Sequence, residues 1–118
     1  MFNDCDSLTS VTIGKSVKSI GEKAFGGCSK LKSIDLSNFD THNIISMCDN
    51  YGGLFNECRS LTSVGDLSSW NVGNVTNMNQ MFYNCNALTS VGDLSSWDTS
   101  KVTNMSFMFS GCSSLTSV

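Results

Sequence analysis

One pattern, Phe-x-x-Cys-x-x-Leu-x-x-Val/Ile, returns five times along this chain and restricts its possible folds more than any other feature. Its anchors are Phe2/Cys5/Leu8/Val11, Phe25/Cys28/Leu31/Ile34, Phe55/Cys58/Leu61/Val64, Phe82/Cys85/Leu88/Val91 and Phe109/Cys112/Leu115/Val118. Successive Phe positions lie 23, 30, 27 and 27 residues apart, and the units beginning at Cys58 and Cys85 agree at 17 of 27 positions. The 30-residue step carries four extra residues after Met47, around Cys48 to Gly53, and lacks the glycine present at 65 and 92. Short units with apolar anchors three apart cannot bury those anchors alone, so neighbouring units must stack.

Each unit reads as two parts. Leu61-x-x-Val64-Gly65-Asp66-Leu67 and its counterparts from Leu88 and Leu31 have inward apolar residues among Ser and Thr, which predicts a short strand, bulged at Gly65 and Gly92. Met78, Met81, Phe82 and Cys85, then Met105, Met108, Phe109 and Cys112, have the spacing of one face of a two-turn helix. Thr76 or Asn77, and Thr103 or Asn104, can cap it. In the second unit Gly21, Ala24, Phe25 and Cys28 take those four positions. The fold class expected is α/β: a right-handed leucine-rich repeat solenoid of about four coils, with parallel strands on one side and short helices or turns on the other. It forms a single domain over 1–118, with a shorter repeat type over 2–36 and a longer type over 36–118. Both ends fall within the repeat pattern, so the chain reads as an excerpt of a longer protein whose end coils are open to end-to-end self-association.

Composition narrows the function classes. Seven Lys+Arg against ten Asp+Glu leave a net charge of −3, without the basic stripe of a nucleic-acid binder. Apolar runs are only a few residues long, so no transmembrane segment is expected. The opening residues carry no secretory signal pattern. The single His42 has no paired Cys or carboxylate, the cysteines lack CxxC spacing, and no phosphate loop, HExxH or EF-hand pattern occurs. No enzyme activity, metal or cofactor is expected.

Five of the six cysteines, Cys5, Cys28, Cys58, Cys85 and Cys112, share one repeat phase beside the Phe and Leu anchors. They are expected to form a ladder of buried thiols rather than disulfides, because parallel Cβ vectors suit the bond poorly. Cys48, inside the insertion, is the thiol expected to be exposed. Phe39, Trp70 and Trp97 form an aromatic column, read as core filling and alternatively as a stacking surface for a sugar or a partner's apolar anchor. Met78, Met81, Met105 and Met108 read as core. Asp40, Asn71 and Asp98 read as Asx turns. Asn74 and Asn104 begin glycosylation sequons, which arise easily by chance in so Ser/Thr/Asn-rich a chain.

Between the anchors, Ser10/Thr12, Ser33/Asp35, Ser63/Asp66 and Ser90/Asp93 should face solvent. Ser33, Asp35, Ser63, Asp66, Ser90 and Asp93 are therefore the candidate partner-binding residues. Two readings of the aspartates stand together: an acidic stripe that receives a basic partner or cation, or charges that end a strand and keep the surface soluble.

The unit from Leu88 to Leu115 resembles the repeats of BspA-like bacterial surface proteins and lipoproteins, and Leu8 to Leu31 resembles the shorter Treponema-type leucine-rich repeat found in them. Gly14 stands where the shorter type usually has Pro, and the insertion at 48–53 interrupts the longer type. The resemblance implies a cell-surface or secreted protein that binds proteins or other extracellular macromolecules by adhesion or recognition, without catalytic residues. The alternative is a passive stalk that spaces an anchor from an effector domain.

Overall fold

The three-residue spacing of Phe, Cys and Leu is produced by successive tight turns. In a computed structural model that describes residues 4–13, 24–36, 41, 44–49 and 52–116, the Cys58 N–H donates to the Phe55 carbonyl at 3.1 Å and the Leu61 N–H to Cys58 at 3.2 Å. The same pair of bonds recurs from Phe25, Phe82 and Phe109. The residue before each of these cysteines, and before Cys5, has a positive φ: Asp4 at 56°, Gly27 at 75°, Glu57 at 64°, Asn84 at 58° and Gly111 at 79°. A left-handed residue in each of these turns, joined by a second at Gln80 and at Phe107, stops a right-handed helix from propagating.

Helix also fails because the amides have partners elsewhere. The N–H groups of Met78, Gln80, Phe82 and Asn84 donate to the carbonyls of Asn104, Ser106, Met108 and Ser110 in the next unit, at 2.8–2.9 Å. The alternate residues Met81, Tyr83 and Cys85 bond within their own unit, each to the carbonyl of the third residue before it. The two-turn helix expected over 78–85 is therefore a row of turns, and the capping candidates do other work. Asn77 and Asn104 accept from the amides of Asn79 and Ser106, two residues on. The Thr76 and Thr103 hydroxyls donate to the carbonyls of Ile45 and Thr76.

Strand structure is equally brief. Strand β1 (Ser10–Val11) pairs in parallel with β2 (Ser33–Ile34) in the register Ser10 to Ser33. Single parallel bridges extend the row from Ser33 to Ser63 and Ser90, and a second row joins Ser46, Asn77 and Asn104. Strands β3 (Cys48–Asp49) and β4 (Gly52–Gly53) form an antiparallel pair within the insertion. One 3-10 turn spans Leu67–Ser69.

These findings correct the fold expected from the repeat. The described residues contain no α-helix and no strand longer than two residues, so the chain is neither α/β nor a right-handed leucine-rich repeat solenoid. It is a compact globule of 35 × 32 × 27 Å, with a radius of gyration of 12.8 Å, close to the ~13.5 Å of a compact domain this long. Backbone bonds between units layer them tightly within that globule, and so short a chain gains most burial by staying nearly isometric.

The core runs through the layers. Phe25, Phe55, Phe82 and Phe109 stack with ring centroids 5.4–5.6 Å apart and planes within 8°, each pair contributing about 0.5–1.5 kcal/mol beyond area burial. Leu31, Leu61 and Leu88 are fully buried alongside Val64, Val91, Met78 and Met81. Met108 is buried, but Met105 is 44% exposed, which corrects its assignment to the core. Nothing among the described residues lies over Met105 as its own unit lies over Met78. Phe2, Gly14, Gly21, Phe39, Asp40, His42 and Val118 lie outside the described residues.

The insertion is tied into this core. Gly52 and Gly53 are buried, and a Cβ at Gly53 would collide with the backbone of Gln80 and Met81. Gly53→Ala should cost about 2 kcal/mol or more through overpacking against main chain that cannot give way. Gly73→Ala, whose Cβ meets only the tip of Asn71 at 3.2 Å, should stay within about 0.5 kcal/mol of native. Urea unfolding of the two variants measures the difference.

Candidate functional site

The exposed face is built on the row Ser10, Ser33, Ser63, Ser90. All four serines are exposed, as are Asp35, Asp66 and Asp93. Residue types that hydrogen-bond to nearby backbone explain how the face is held. Ser63 and Ser90 accept through Oγ from the amides of Gly65 and Gly92, at 3.2 and 3.1 Å. Thr62 and Thr89 donate through their hydroxyls to the carbonyls of Lys32 and Thr62.

The carboxylates are anchored at both ends of the local chain. Asp66 Oδ1 accepts from the Ser68 amide and Asp93 Oδ1 from the Ser95 amide, both at 2.9 Å. Asp66 thereby caps the Leu67–Ser69 turn. At Asp93 the Ser95 backbone amide, then its hydroxyl, hold the carboxyl below the ordinary range. Each aspartate also leans along the stack. Asp35 Oδ1 sits where a Cβ on Gly65 would be, and Asp66 Oδ1 where one on Gly92 would be. Since both glycines have φ near +80°, the position combines a left-handed backbone with a carboxylate packed on it. This local turn replaces the strand bulge expected there.

Beneath this face run the thiols. All six cysteines are unbridged. Cys28, Cys58 and Cys85 are buried and Cys5 and Cys112 half-buried. The thiols of Cys58, Cys85 and Cys112 donate to the carbonyls of Phe25, Phe55 and Phe82, at 3.0–3.1 Å. Each therefore reaches back one layer to the carbonyl at the start of the previous turn. Burial pushes the Cys58 thiol up to about 12 and raises Cys28, Cys85 and Cys112 as well. Cys48, expected to be exposed, is 4% exposed in β3. The hairpin folds it inward, a correction that the length of the insertion did not reveal.

The described part of the aromatic column packs on the core, with Trp70 buried and Trp97 partly buried. Trp70 and Trp97 stack at 6.4 Å with planes 4° apart. Their indole N–H groups donate to the carbonyls of Leu36 and Leu67, one layer back, at 2.8 and 2.9 Å. The Asx readings at Asn71 and Asp98 have matching geometry, each accepting from the amide two residues on.

One polar network had no sequence signal. Glu57 accepts from both Arg59 and Asn84. Burial works to raise the Glu57 pKa, but these hydrogen bonds and the Arg59 charge outweigh it and hold the carboxylate low. The Glu57–Arg59 pair is too exposed to add much stability. Among the described residues no group of three His, Cys, Asp or Glu is placed to hold a metal ion. No helix there is long and apolar enough to cross a membrane.

The thiol ladder generates a pH prediction. A thiol whose folded pKa is raised contributes stability fully present below its unfolded value of 9.0. That contribution is lost as pH rises toward the folded value of about 12. Stability measured by urea unfolding should therefore fall between about pH 9 and 12. In Cys58→Ala/Cys85→Ala this fall should be smaller, and in native protein both thiols should resist alkylation until the chain unfolds.

Comparison with curated proteins and with solved structures gives no match. Residues 15–118 match the family described as "Mycoplasma protein of unknown function, DUF285", and the chain belongs to that family.

Proposed function

We propose that this chain is a non-catalytic recognition module of a cell-surface or secreted protein, which holds a macromolecular partner against its Ser/Asp face. The observation that carries the reading is the tethering of the Asp66 and Asp93 carboxylates by the Ser68 and Ser95 amides at equivalent places in adjacent layers. Like charges aligned along a stack are mildly destabilising, a cost that the amide bonds at Asp66 and Asp93 offset. Carboxylates already fixed lose little freedom when a partner arrives. The acidic row suits a basic protein surface. The resemblance to BspA-like surface proteins supports adhesion or recognition outside the cell.

A second reading, a passive spacer, is favoured by a different observation. The Ser63, Ser90, Thr62 and Thr89 hydroxyls all serve the chain's own backbone, which leaves the face less polar functionality to offer a partner.

The test is binding to immobilised extracellular proteins at near-physiological salt, comparing native protein with Asp35→Asn/Asp66→Asn/Asp93→Asn. Asparagine keeps an Oδ1 acceptor for the Ser68 and Ser95 amides while removing charge. Recognition predicts saturable native binding that weakens at least about tenfold in the variant and with added salt. Equal binding by both, or none by either, overturns it in favour of the spacer.

A further inference from the structure

We draw no further inference here: the strongest candidate, the exposed apolar patch of Met105 and Phe107 on the last described layer, with Tyr83 edge-on to Phe107, carries nothing because nothing in the structure shows what covers it.

Discussion

Alternate amides of the turn segments point out of their own layer and into the next, and the rest of the structure follows from that alternation. Inside a layer, the i to i−3 bonds close the turns that carry Phe, Cys and Leu. Between layers, the remaining amides bring the next turn to within hydrogen-bonding distance of the last. Backbone polar groups removed from water must find partners. Here the partners come from the neighbouring layer, where a helix would have supplied them from within.

That constraint sets the side-chain columns. Once two layers are joined at 2.8–2.9 Å through their amides, equivalent side chains lie over one another, and only residues that stack well on copies of themselves are comfortable. Phe rings offset-stack, indoles stack while donating to a carbonyl one layer back, and thiols do the same on a smaller scale. A charged residue in such a column must leave the core, and the aspartates do. They turn onto the glycines of the next layer and take up nearby amides. The candidate recognition face thus has its order from the interactions that hold the interior.

Some of this was legible in the residues. The shared phase of Cys28, Cys58 and Cys85 indicated a common environment, and all three are buried. Trp70 and Trp97 read as core on the same argument, and they are stacked with their N–H groups satisfied. The helix over 78–85 was misread because spacing i, i+3, i+4, i+7 is shared by a helix and by a succession of three-residue turns. The clue lay one residue before each cysteine, where Gly27 and Gly111 occupy the position of Glu57 and Asn84. Glycine in two of five copies marks a backbone that the other copies adopt under strain. Cys48 and Met105 were misplaced for a different reason: burial there depends on which layer lies above, and a residue's phase does not report that.

The amino-acid sequence by itself determined the columns, since a repeat of Phe, Cys, Leu and Trp at constant phase can bury its anchors only by placing like on like. It also determined the chemistry available on the exposed face, where Ser, Thr and Asp alternate with those anchors. Tertiary structure alone decided whether each amide bonded within its turn or across to the next layer. Both choices satisfy the same donor, and only the simultaneous presence of a neighbouring carbonyl row makes the second one better. That choice turned a helical spacing into stacked turns, and an expected α/β solenoid into a compact globule.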